Sequence, residues 1–170
     1  MKSVATARSN VLVVGDSISE GRDELRVAVG DHVILMAGKM HAAGVHGEDG
    51  ARILTNADID TFIDAGADVI LVPAPGTVPG ITIDIAHALI SHARRRGALT
   101  MTTIGTSQEG SDEHTVRQLA LAAKMAGADL HHLGDAGYGG SALPENVLAY
   151  SIAIKGHRHT YSRIARSVSR

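Results

Sequence analysis

Ala65-Gly66-Ala67-Asp68-Val69-Ile70-Leu71-Val72-Pro73 is the stretch from which the fold reads, because Ala126-Gly127-Ala128-Asp129 repeats its opening further along the chain. Each copy precedes a short, mostly apolar run. Such runs, nearly continuous instead of strictly alternating, are what parallel strands buried on both faces require. Two strand-plus-helix units fit between the copies, so the repeat marks a βα periodicity.

Working outward, strands are expected over residues 10–15, 32–38, 68–73, 99–104 and 129–133. Helices are expected over 18–29, 57–65, 81–96, 112–126 and 144–154. In the fourth helix Val116, Leu119, Ala120 and Ala123 fall on one face at helical spacing. Ser111 is the expected cap of that helix, and Pro144 suits the first turn of the next. Gly97 and Gly127 stand where helix-ending glycines belong. The expectation is one α/β domain of five parallel βα units over residues 1–170, with 1–9 disordered and 157–170 a polar, basic tail. Five units form the larger part of a TIM-barrel-like fold, a truncated or partial barrel, since a closed barrel needs eight strands and about 250 residues. The alternative is an open doubly wound sheet. A partial barrel leaves sheet edges to cover, which points to a homo-oligomer.

Composition narrows the function classes. The 170 residues carry 16 Lys and Arg against 18 Asp and Glu, a net charge of -2 that offers no global attraction to nucleic acid or anionic membranes. With one Phe, three Tyr and no Trp, stacking on single-stranded nucleic acid is poorly served. No apolar run approaches the roughly 18 residues of a membrane span. The absence of cysteine excludes thiolate-held zinc and fits a reducing, cytoplasmic setting.

Chemistry-bearing residues gather at the strand-to-helix junctions. Gly105-Thr106-Ser107-Gln108-Glu109-Gly110-Ser111 and Gly134-Asp135-Ala136-Gly137-Tyr138-Gly139-Gly140 are consecutive glycine-rich loops, each between a strand and a helix start. Glycine lets a ligand approach the backbone, and helix starts offer unpaired N–H groups, so the pair reads as an anion cradle. Gly105, Thr106, Ser107, Gln108, Gly134, Gly137 and Gly139 are its binding candidates. Glu109 and Asp135 are candidates for proton transfer.

Two further junctions join this rim. Lys39, at the end of the second strand, can neutralise a phosphate or carboxylate or form an imine, and His41 can move protons near neutral pH. Pro73-Ala74-Pro75-Gly76-Thr77-Val78-Pro79-Gly80 is a pre-shaped wall that adds Gly76 and Thr77. A divalent metal held by His41, His46, Glu48 and Asp49 stays open, because their spacing matches no ligand signature. The cofactor is therefore unknown. His131 and His132 alternate in one strand and must face opposite sides.

Gly15-Asp16-Ser17, after an apolar run, resembles the nucleophile block of the GDSL-type esterases. That resemblance implies Ser17 as nucleophile, His132 as base and Asp129 as its orienting acid. A helix cap by Asp16 or Ser17 accounts for the same residues. A longer resemblance runs from about Val33 to Tyr161. It is carried by Gly38-Lys-Met-His-Ala-Ala-Gly44, Pro73-Ala-Pro-Gly-Thr-Val-Pro-Gly80, Gly105-Thr-Ser-Gln-Glu-Gly110, His132-Leu-Gly-Asp-Ala-Gly137, Pro144-Glu-Asn146 and Arg158-His-Thr-Tyr161. These segments resemble a bacterial (βα)8-barrel family whose members are labelled haloacid dehalogenase-like hydrolase or phosphoenolpyruvate phosphonomutase-like. The resemblance implies that they form the later part of a barrel. The strand-end Asp-x-Asp block of dehalogenase chemistry is not present. The expectation is thus a barrel-type enzyme or enzyme remnant for a small anionic metabolite, with lyase- or isomerase-like chemistry. The alternatives are a hydrolase and a non-catalytic binding or assembly module.

Overall fold

The computed structural model describes residues 11–14, 22–39, 53–134 and 142–167. In chain order the elements are β1 (Val11–Val14), α1 (Arg22–Val29), β2 (Ile34–Ala37), α2 (Asn56–Asp64), β3 (Val69–Pro73), α3 (Ile83–Arg95), β4 (Leu99–Ile104), α4 (Glu113–Ala126), β5 (Leu130–Leu133) and α5 (Pro144–Ala165). All five strands join one parallel sheet in the order β1-β2-β3-β4-β5. Successive helices from α2 to α5 pack on one another, as a layer along one face of the sheet. A doubly wound sheet reverses its strand order at a switch point. No reversal occurs here, so the chain is α/β with five units of a TIM-barrel-like wall, and the doubly wound alternative is set aside.

The helix layer buries one side of β2, β3 and β4. In β4, Thr100, Thr102 and Ile104 are fully buried, while Leu99, Met101 and Thr103 alternate to the other side. Ile59 and Phe62 of α2 and Ala86 and Ile90 of α3 pack with Ile70 and Val72. Val116, Leu119 and Ala120 of α4 pack with Ile104, Ala149 and Tyr150. The helical stripe read from the sequence is thus the buried one. By register, Ile34, Leu99 and Leu130 share the opposite face and are exposed.

Helix ends follow local chemistry, with two departures. Asp112, not Ser111, caps α4, accepting from the N–H groups of His114 and Thr115 at 2.9 and 3.0 Å. A carboxyl group at this position satisfies two otherwise unpaired donors. The fifth helix does not stop at residue 154. It breaks at Gly156, whose φ of 77° and ψ of 166° only glycine adopts readily, and resumes to Ala165. Part of the expected tail is therefore helical, held by Thr160, which is buried and 3.0 Å from Ser151 Oγ. The expectation for residues 1–9 lies outside the described residues.

The repeated Ala-Gly-Ala-Asp has a shared structural role. Asp68 Oδ2 accepts from the N–H of Leu35 at 2.8 Å and from Arg26 of α1 at 2.7 Å. Asp129 Oδ2 accepts from the N–H and hydroxyl of Thr100 at 2.9 and 2.8 Å, and Arg94 of α3 donates to the same carboxylate. Each aspartate stands just before its strand and ties the start of the preceding strand to the preceding unit's helix. The Arg94 guanidinium, against a smaller opposing effect of burial and with help from Thr100, holds the Asp129 carboxyl below the usual carboxylate range. A lowered folded-state pKa gives stability that is present above the unfolded value and lost as pH falls through the folded one. Asp129→Ala is expected to cost about 1–2 kcal/mol in urea unfolding at pH 7. The gap between variant and parent should close as pH falls below the unfolded-state value of 3.8. A gap that persists unchanged at low pH would show that packing, not the carboxylate, sets the effect.

Candidate functional site

Parallel alignment places every strand's carboxyl end, and the start of the following helix, on one rim. Among the described residues that rim comprises Gly38 and Lys39, the 74–81 loop, the 105–111 loop and Gly134. The sequence-derived candidates Lys39, Gly76, Thr77, Gly105, Thr106, Ser107, Gln108, Glu109 and Gly134 thus fall on one edge. His41, Asp135, Gly137 and Gly139 lie outside the described residues, as do Ser17, His46, Glu48 and Asp49.

At the β2 end, Lys39 Nζ lies 2.8 Å from Asp58 Oδ1. Asp58 also accepts from the N–H and hydroxyl of Thr55 at 2.9 and 2.7 Å, closing a capping box on α2. Burial raises the Asp58 pKa, but the bonds from Lys39 and Thr55 outweigh it and hold the carboxyl below its ordinary value. Lys39 and Asp58 thus form an ion pair at the end of β2.

The β3 and β4 loops are tied together. Thr77 is buried, and its hydroxyl donates to the Ala74 carbonyl at 2.7 Å. Its own carbonyl accepts from the Thr106 hydroxyl at 2.8 Å. Thr106 Oγ1 also contacts Gln108 Oε1. Ser107 has a φ of 76°, a left-handed conformation that a side chain disfavours, and it opens a single 3-10 turn over Gln108–Gly110. The N–H groups of His114 and Thr115 at the start of α4 are engaged by Asp112.

Glu109 occupies the centre of that turn. It is 6% exposed, and its Oε2 is the buried side-chain polar atom with no hydrogen-bond partner among the described residues. Its position is fixed from three sides. Asn146 of α5, 2% exposed, donates from Nδ2 to the carbonyls of Glu109 and Ser111, both at 2.8 Å. A Cβ on Gly134 would lie 2.7 Å from the Ile104 carbonyl oxygen and 3.1 Å from Glu109 Cδ. The β5 end must therefore be glycine for the carboxyl group to lie where it does. Ser107 supplies the third constraint by turning the backbone. A buried carboxyl oxygen without a donor costs free energy, and such groups in folded proteins are commonly reserved for a ligand or a reaction.

Glu109 and Gly134 stand among the sequence candidates, whereas Asn146 and Asp58, which bond the Glu109 carbonyl and Lys39, do not. An asparagine on the inner face of an amphipathic helix was the available signal for Asn146. Asp58 stands three residues after Thr55, which is capping-box spacing.

The histidines separate as strand alternation requires. His131 faces the helix layer, its Nδ1 3.1 Å from both Thr102 Oγ1 and the Tyr150 hydroxyl. Burial lowers the His131 pKa and pushes Tyr150 up to about 12, so this cluster is neutral at pH 7. His132 is exposed on the opposite side. Asp129, expected to orient His132 in the esterase reading, instead bonds Arg94 and Thr100 at the amino end of β5. No group of three His, Cys, Asp or Glu among the described residues is placed to hold a metal ion. No described helix is long and apolar enough to cross a membrane.

The Gly134 contact gives a direct check. Gly134→Ala should destabilise by about 2 kcal/mol, because its clash is with a backbone carbonyl that cannot swing away. Glu109→Gln, which replaces at constant volume a buried carboxyl whose Oε2 has no partner among the described residues, should leave thermal stability equal or raised. A fall of several degrees in Glu109→Gln would mark Glu109 as a structural residue.

No curated protein gives a match. Among solved structures, GMP reductase from Trypanosoma brucei, in complex with guanosine 5'-triphosphate, is similar at 20% identity with a TM-score of 0.45. That similarity covers 91% of this chain and 36% of the other, so the chain spans little more than a third of its length. One protein family matches residues 4–170, and its description carries neither the dehalogenase nor the phosphonomutase label. Neither label therefore gains support, and the identity reached is that of a family: the chain belongs to the one described as Domain of unknown function (DUF7916).

Proposed function

We propose that this chain carries an enzyme-like site for a small phosphorylated or carboxylated metabolite on the carboxyl rim of its sheet, with lyase- or isomerase-like chemistry. The observation that carries the reading is Glu109 Oε2, buried and without a donor among the described residues at the junction of β4 and β5. Lyases and isomerases commonly begin by removing a proton next to a carbonyl or carboxyl group. A positioned carboxylate in a site shielded from water is a suitable base for that step. In ionised form Glu109 would take the proton, and Lys39 would offset the charge of the metabolite's anionic group. The backbone of the Gly105–Ser107 loop would contact that group. Asp135, Gly137, Gly139 and His41 belong to the same junctions by sequence and complete the proposed site.

The expected result is exchange of solvent deuterium into the carbon next to the carbonyl of a phosphorylated keto-compound, followed by proton NMR. Across a panel of such compounds at least one should exchange with the parent protein. Glu109→Gln should slow that exchange by about 10²–10⁴-fold. Lys39→Ala should act chiefly through weaker binding, at roughly tenfold for about 1.4 kcal/mol. Exchange that Glu109→Gln leaves undiminished, or its absence across the panel, would rule the proton-transfer reading out.

A second reading, assembly, is favoured by apolar strand starts exposed on the sheet face away from the helices, where Val69 alone among them is buried. Parallel sheets are ordinarily covered on both sides, yet Ile34 is 45%, Leu99 52% and Leu130 37% exposed on the side away from the helices. A second copy covering this face would make the protein a homo-oligomer. Sedimentation should then show a dimer or larger species that Leu99→Lys converts to monomer. A monomeric parent protein would sink this reading.

A further inference from the structure

His131 joins the sheet to α5 through one ring nitrogen. Its Nδ1 lies 3.1 Å from both the Thr102 hydroxyl of β4 and the Tyr150 hydroxyl of α5. The His131 ring also meets that of Tyr150 edge-on, with centroids 5.6 Å apart. Both neighbours of Nδ1 are hydroxyls, so a neutral Nδ1 accepts while they donate. Once protonated, Nδ1 can only donate, and the hydroxyl protons lose their acceptor. The new charge would also meet no carboxylate among the described residues. β4 carries no titratable side chain. On α4, Glu113 and Arg117 pair with each other, His114 contacts Gln118, and Lys124 donates to the Ile154 carbonyl. On α5, Glu145 and Lys155 are exposed. Asp129 of the same strand end is held by Arg94, and His132 is exposed on the opposite face. Glu109 of the neighbouring turn forms no ion pair with His131.

Tyr150 stands four residues after Asn146, so the two share one side of α5, and both are buried. Asn146 donates to the carbonyls of Glu109 and Ser111. One stretch of helix therefore carries both the contact with His131 and the hold on the 105–111 turn. From this arrangement we infer that the start of α5 is an acid-released clamp. Protonation of His131 frees the Asn146–Tyr150 stretch from the sheet, and the turn that carries Glu109 loses its two Asn146 bonds with it. Local opening hydrates the imidazolium at less cost than unfolding the whole sheet. Burial, with no neighbouring charge to oppose it, lowers the His131 pKa from its ordinary 6.5. A folded-state value below the unfolded one means that stability is full at neutral pH and declines as pH falls through 6.5. The clamp acts on the geometry of the turn, whatever chemistry the rim performs.

Hydrogen exchange of the full chain at about pH 7.5 and about pH 5.5, corrected for intrinsic amide rates, tests this clamp. Protection of the α5 amides over residues 147–153 is expected to fall about threefold or more at the lower pH, while protection in β3 changes by less than about 1.5-fold. His131→Gln stays uncharged at both pH values and keeps an amide oxygen to accept from the same hydroxyls. In that variant α5 protection should be the same at both. Equal α5 protection at the two pH values in the parent protein would overturn the clamp. So would an equal loss in β3 and α5, which marks global unfolding, or a full α5 loss retained in His131→Gln. If His131→Gln does not fold, proton NMR titration of the parent takes its place. There His131 should titrate below 6.5, and titration at or above that value would overturn the clamp.

Discussion

Parallel strand alignment is the constraint on which the rest of this structure depends. Each strand must hand the chain to a crossover helix before the next can begin, so every carboxyl end lies on one rim and every amino end on the other. The two rims then serve different purposes. At the amino ends, Asp68 and Asp129 bond both a strand amide and an arginine of the helix before it, which fixes where each strand begins. With the strands so fixed, the opposite rim can hold loops whose backbone departs from regular geometry.

The most constrained of those loops is the one carrying Glu109. A left-handed residue other than glycine costs of order 1–3 kcal/mol, and a buried carboxyl oxygen with no donor among the described residues adds to that. Neither would persist unless the surroundings over-determined the turn. The surroundings do so through the two amide bonds from Asn146, the hydroxyl bridge from Thr106 to Thr77, and the close approach of Gly134. Contacts from α5, from the loop after β3 and from the end of β5 therefore hold the turn that carries Glu109.

Much of this was legible in the sequence. The Ala-Gly-Ala-Asp repeat, the apolar runs and the stripe of Val116, Leu119, Ala120 and Ala123 gave the five βα units in order, because burial on both faces or on one leaves different periodicities. The rim candidates were legible too, since glycine and polar residues cluster where strands end. Less legible was the capping of α4, where Ser111 and Asp112 are both good caps and only backbone direction chooses between them. The continuation of α5 past Gly156 was hidden for a similar reason: a glycine reads as a helix end, and only the buried contact of Thr160 with Ser151 brings the chain back into a helix.

By itself, then, the sequence determined local matters: which segments are strands, which helices, which face of each helix is apolar, and which residues stand at strand ends. Short-range periodicity and backbone preference decide those. Tertiary structure alone decided the sequential strand order, the division of His131 from His132 between the two faces, the use of Asp129 as a strand anchor, and the isolation of Glu109 from any donor among the described residues. Each of these depends on groups far apart in the chain, and the identity of a partner thirty or forty residues away is not written in the spacing around a single residue.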